Sequence, residues 1–179
     1  MKPIEGYDKI NEAGEIVRLP AGIYGVKITK VVDNPQNEYL EVYCDITKGD
    51  YANYFKQLTD LGLKDTSLSF RSYKTKAIPF FKAFITAIEK TNPGFNWDWD
   101  EQKLVGKNVM AVFGEEEYKD NDGNVKVATR VVEFRSYEAY KEGKLKVPPL
   151  KKLPPEPEQE TPSDNAPSLV DIPDEELPF

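Results

Sequence analysis

The sequence predicts a mainly β fold: a five-stranded barrel with one helix between strands 3 and 4, followed by a disordered acidic C-terminal tail. Three observations predict it. Short segments alternate apolar with polar residues, the period of strands that lay one face on a core. The period lengthens to that of a helix in one segment, KAIPFFKAFITAIEKTN. Charge and proline are also unevenly divided. All 24 Lys and Arg lie in residues 1–152, whereas 153–179 hold eight acids, 7 of the 14 prolines and no base. The body is thus near +1 and the tail −8, within a net charge of −7.

Taken in order, residues 1–18 lack periodicity and read as an arm. In LPAGIYGVKITKVV, Tyr24, Val26 and Ile28 alternate with Gly25, Lys27 and Thr29, giving a first strand, and DNPQNE is a turn. Leu40, Val42, Cys44 and Ile46 alternate with Glu41, Tyr43, Asp45 and Thr47, giving a second. KGDYANYFKQLTDLGLKD reads as a strand continuation and a loop. SLSFRSY reads as a third strand, with Leu68 and Phe70 towards the core and Ser69, Arg71 and Tyr73 outward. In the helix, Ile78, Phe81, Phe84, Ile85 and Ile88 keep helical spacing; Pro79 is tolerated in the first turn, and Asn92-Pro93-Gly94 ends it. KNVMAVFGEEEY is a fourth strand, DNDG a hairpin turn, and NVKVATRVVEFRSY a fifth strand. Three strands, a helix and a hairpin is the element order of the OB-fold, assigned to residues 19–147. Pro148-Pro149 and Pro154-Pro155 open a Pro-rich linker over 148–170, and 171–179 form an acidic tip. The tail is too poor in apolar residues to offset the entropy of ordering.

Composition removes several functions. One cysteine, Cys44, excludes a disulfide framework and fits a reducing compartment. The segment MKPIEGYDKI lacks the apolar run of a signal peptide, and no stretch approaches a membrane span, so a cytoplasmic protein with no membrane partner is expected. The absence of histidine removes the commonest general base and metal ligand. No glycine-rich phosphate loop is present. Asp98, Asp100 and Glu101 could hold Mg²⁺ for nuclease chemistry, but the plainer reading is a solvated loop pinned by Trp97 or Trp99. No catalytic residue, metal or cofactor is assigned, and the chain reads as a binding protein, not an enzyme.

Single-stranded DNA is held by bases stacking on aromatic side chains while Lys and Arg follow the phosphates. OB-folds bind oligonucleotides across strands 2 and 3. Around those strands the sequence offers Tyr39, Tyr43, Tyr54, Lys56, Arg71, Tyr73, Lys74 and Lys76, with Arg130 on strand 5. These are the candidate DNA contacts; the plainer reading packs several of them against the arm, the helix or a second subunit. Lys27, Lys30 and Arg135 fall where they could extend the path. A body charge near +1 argues against duplex DNA more than against single strands.

The stretch Asp171-Ile172-Pro173-Asp174-Glu175-Glu176-Leu177-Pro178-Phe179 resembles the C-terminal tip of bacterial single-stranded DNA-binding proteins, acids followed by Ile-Pro-Phe, with Leu177 in place of isoleucine. That resemblance implies a docking peptide. The Phe179 ring enters an apolar pocket, its α-carboxylate meets Arg or Lys, and the acids steer towards a basic rim. The plainer reading is a solubilising acidic tail. Over most of residues 20–153, TNPGFNWDWDEQKLVGKNVMAVFGEEEYKDNDGNVK and SYEAYKEGKLKVPPLKKL are similar to phage-encoded proteins of Gram-positive hosts grouped with single-strand binding, replication and recombination. The expectation is therefore an OB-fold protein that coats single-stranded DNA in phage replication or recombination, in the host cytoplasm. Through residues 171–179 it would recruit replication or recombination proteins of phage or host. OB-type single-strand binders are often dimers or tetramers, so a homo-oligomer stays open. The alternative is a factor without DNA affinity that imitates the host tail to capture or block host enzymes.

Overall fold

Alternating sequence builds strands here only where one flank of each strand finds a core, and five segments meet that condition. In the computed structural model, which describes residues 17–154 together with Lys2, Pro3 and Tyr7, they are β1 (Gly22–Asn34), β2 (Tyr39–Ile46), β3 (Ser69–Ser72), β4 (Asn108–Lys119) and β5 (Val125–Arg135). All neighbours are antiparallel, and the sheet runs β3-β2-β1-β4-β5. The sheet is not closed: β3 and β5 are its two edges. The linker from residue 155 on and the tip 171–179 lie outside the described residues, as does most of the arm 1–18.

The core is where the alternation places it on β1 and β2. Val26, Ile28, Val31, Leu40, Val42, Cys44 and Ile46 are all buried. A bulge between Ile28 and Lys30 shifts the phase of β1 by one residue, so Val31, not Lys30, turns inward. On β4, Val109, Ala111 and Phe113 join the core, and Met110 and Val112 on the opposite face are buried too.

The main helix, α2, spans Ile78–Thr91, with Pro79 in its first turn and Asn92 closing it by donating to the Ile88 carbonyl (2.7 Å). It buries Phe84, Ile85, Ala87 and Ile88 against the sheet and leaves Ile78 and Phe80 exposed.

Two short helices were not expected. The segment read as a strand continuation and a loop holds α1 (Tyr54–Asp60), and α3 (Tyr137–Lys141) follows β5. Asp45 at the end of β2 starts α1. One carboxylate oxygen accepts from the amides of Ile46 (2.8 Å) and Phe55 (3.1 Å), the other from that of Lys56 (3.0 Å). Asn53 turns the chain with a left-handed φ of 58°. Phe55 and Leu58 then reach the core, which outweighs the weak intrinsic helicity of seven residues.

β3 carries its side chains in the phase opposite to that expected. Ser67 and Ser69 are buried, Arg71 points inward, and Phe70 is 57% exposed. The register explains this: Arg71 faces Leu40 and Ser69 faces Val42, both core residues, so Phe70, opposite Glu41, stands on the other side.

Residues 148–153 lie along β4. The Lys151 amide donates to the Glu115 carbonyl (2.9 Å), and the Glu117 amide donates to the Lys151 carbonyl (2.9 Å). This occupies the β4 edge beyond Gly22, where β1 pairing stops. Gly114 lets the chain approach: a Cβ there would fall 2.9 Å from Pro148 and 2.8 Å from Val132. Among the described residues no helix is long and apolar enough to cross a membrane.

Candidate nucleic-acid interface

Since Leu40, Val42 and Cys44 point into the core, Tyr39, Glu41 and Tyr43 stand on the far side of β2. Pairing places Asn34, Val32 and Lys30 of β1 opposite them, and Ser72 and Phe70 of β3 opposite Tyr39 and Glu41. The outer face of β1–β2–β3 is therefore a short platform of rows: Asn34–Tyr39–Ser72, then Val32–Glu41–Phe70, then Lys30–Tyr43. Two of its rings meet edge to face, Tyr39 and Phe70, with centroids 5.0 Å apart and planes at 76°. The Asn34 amide donates to the Tyr39 hydroxyl (3.1 Å) and so orients that ring. Lys30 Nζ lies 5.1 Å from the centre of the Tyr43 ring. Partial burial, with Glu41 adding to it, raises the Tyr43 phenol above its ordinary range, so the ring stays neutral at physiological pH.

At the end of this face the chain passes into Tyr73, whose hydroxyl donates to Asp33 (2.8 Å) and whose ring packs edge-on to Phe81. Lys74 and Lys76 follow, exposed, and make no ion pair among the described residues. The structure thus places Tyr39 and Tyr43 on this face and Lys74 and Lys76 beyond its end, whereas Tyr73, expected outward, is in phase with Ser69 and Arg71 and packs on the core side.

The other expected contacts are elsewhere. Tyr54 packs on the core beside Phe55, and its hydroxyl accepts from the Leu19 amide (3.2 Å), tying residue 19 to the body. Lys56 sits on α1 and pairs with Asp60 (2.6 Å). Arg130 on β5 pairs with Glu116 of β4. Arg71 lies inside: its guanidinium carbon is 4.6 Å from the Phe134 ring centre and 5.9 Å from that of Phe84. It donates to Ser69 Oγ, while its buried Nε has no partner among the described residues. Burial lowers its pKa to about 10, and it remains a cation at neutral pH.

Phe70 and Lys30 complete the platform, and of these Phe70 was expected in the core. An apolar residue between Ser69 and Arg71 gives no hint of facing out; the signal lies in the pairing of Glu41 with Phe70, a tertiary fact. The Asp98-Asp100-Glu101 cluster is engaged otherwise, with Lys103 paired to Asp98 and Asp100. Among the described residues, no group of three or more possible ligands could hold a metal ion. A scan against protein-family models finds no match to this chain, and a search of curated proteins finds none.

Proposed function

We propose that the chain is a single-stranded DNA-binding protein that lays DNA across the outer face of β1–β2–β3. The observation that carries this is the Tyr39–Phe70 pair beside Lys30 and Tyr43. These large apolar rings stand on the side of the sheet away from the core, at a site flanked by lysines. Base stacking on such rings contributes about 1–3 kcal/mol per base, enough for useful affinity with little net positive charge. The role is binding and not catalysis.

The proposal includes an OB-type barrel. Supporting it are the strand order β3-β2-β1-β4-β5, the position of α2 between β3 and β4, and the approach of β5 to β3 through Phe134 and Arg71. The platform then coincides with the β2–β3 surface such folds use. The similarity to phage replication proteins supports a phage role in the host cytoplasm. The acidic segment 171–179, outside the described residues, is read as the element that recruits partner proteins. Its acids steer towards a basic rim, and Leu177 and Phe179 enter an apolar pocket.

The test is fluorescence anisotropy of labelled oligo(dT) and of an equal-length duplex across a salt series. The expected result is tight single-strand binding and weak duplex binding, with affinity falling as salt rises. Deleting residues 171–179 should leave that affinity equal or better while abolishing partner capture. Absence of single-strand binding, even in a chain ending at Leu153, would leave only the tail-mimic reading.

A further inference from the structure

A second aromatic surface lies around the end of the sheet, on the side opposite the platform. Asp33, Tyr73, Phe81, Trp97, Trp99 and Glu101 line a groove of about 340 Å³. Trp99 is 81% exposed and held at a left-handed φ of 71°, a conformation that costs a bulky residue energy. Its ring is not used up in packing: the two indoles are tilted 58° with centroids 6.1 Å apart. The loop itself is fixed, since the Trp97 amide donates to Glu89 (2.8 Å) and Asp100 accepts from the Gln102 amide (3.1 Å). A strained, exposed tryptophan on an anchored loop is suited to a planar ligand.

The groove lies around the end of the sheet from the platform, on the side of Leu40, which also lines it. Asp33 precedes Asn34, and Tyr73 follows Ser72; Asn34 and Ser72 are the two residues paired with Tyr39. Its polar groups also select an occupant. The carboxylates of Asp33 and Glu101 repel a phosphate, and they repel the chain's own acidic tail equally. They do accept hydrogen bonds from the exocyclic amino group of a base, as carboxylates do with cytosine N4. Lys74 and Lys76, adjacent to Tyr73, are placed to take the phosphates instead.

We propose that a DNA strand leaving the platform turns around the end of the sheet and delivers one base into this groove, stacked on Trp99, with preference for a base carrying an exocyclic amino group. The inference rests on the single-strand-binding reading above and adds a site and a selectivity to it. The chain has two tryptophans, Trp97 and Trp99, and both line the groove, so intrinsic tryptophan emission reports on this site alone.

The experiment titrates the full chain with dye-labelled oligo(dC) and oligo(dT), following dye anisotropy and tryptophan emission in parallel. Emission should fall in step with binding, oligo(dC) should bind several-fold more tightly than oligo(dT), and Trp99→Ala should weaken binding roughly fivefold or more. Binding with unchanged emission, or a Trp99→Ala chain of unaltered affinity, would overturn the groove while leaving the platform intact; a protein segment would then be its occupant. Equal affinity for the two oligonucleotides would overturn the role given to Asp33 and Glu101. Absence of any anisotropy change would defeat the single-strand reading and the groove with it.

Discussion

The guanidinium of Arg71 lies over the ring of Phe134, 4.6 Å from its centre, bridging the two edge strands from inside. A cation there is partly compensated by the two phenyl faces and by Ser69, but its Nε is left without a partner among the described residues. Arg71→Met keeps the length and removes the charge. The variant should melt within a few degrees of the parent and keep its oligonucleotide affinity, by calorimetry and anisotropy. Because burial lowers the folded-state pKa to about 10, the cost of holding the cation is present below that pH. It is relieved as pH rises through that value towards the ordinary range. Any stability advantage of the variant should therefore shrink above pH ~10.

Asp45 accepts three backbone amides where β2 hands over to α1. Asp45→Ala strips the start of that helix and should cost about 1–3 kcal/mol in urea unfolding. Hydrogen exchange should quicken first at the amides of Phe55 and Lys56.

Gly114 faces Pro148 and Val132 too closely for a side chain. Gly114→Val should displace residues 148–153 from β4, at a cost of about 1–3 kcal/mol. Trypsin should then cut after Lys151 and Lys152 faster than in the parent, while the rest of the sheet resists.

In the β4–β5 turn, the Lys126 ammonium 2.8 Å away and the Asn124 amide hold Asp120 at about 2. A carboxyl lowered in the folded state stabilises the fold above its unfolded pKa, near ~3.9. That contribution is lost as pH falls from there through about 2. Asp120→Asn should flatten this part of the acid unfolding profile, and an NMR titration of the hairpin amides should move with the same midpoint.

How much was legible depended on whether a residue's neighbours are local. Alternation located β1 and β2, the DNDG turn between two apolar stretches located β4 and β5, and helical spacing located α2, because each signal is written in consecutive residues. α1 escaped because its start is set by Asp45, which bonds amides ten and eleven residues further along the chain. The outward aromatics of β2 were legible, since the whole apolar set of that strand points the other way. β3 was not: four residues carry too little period to set a phase, and register against β2 reverses it. Arg71 and Phe70 thereby exchange places, the cation going inside to the phenyl rings and the phenyl ring outside to Tyr39.

That exchange makes the central claim directly testable. Oligo(dT) affinity should be measured by anisotropy for the parent, Phe70→Ala and Arg71→Met side by side. Phe70 is exposed, so its truncation should leave the melting temperature nearly unchanged. If DNA lies on the outer face, Phe70→Ala weakens binding roughly fivefold to a hundredfold and Arg71→Met does not. If Phe70→Ala binds like the parent, DNA does not use this face, and the platform is not the site.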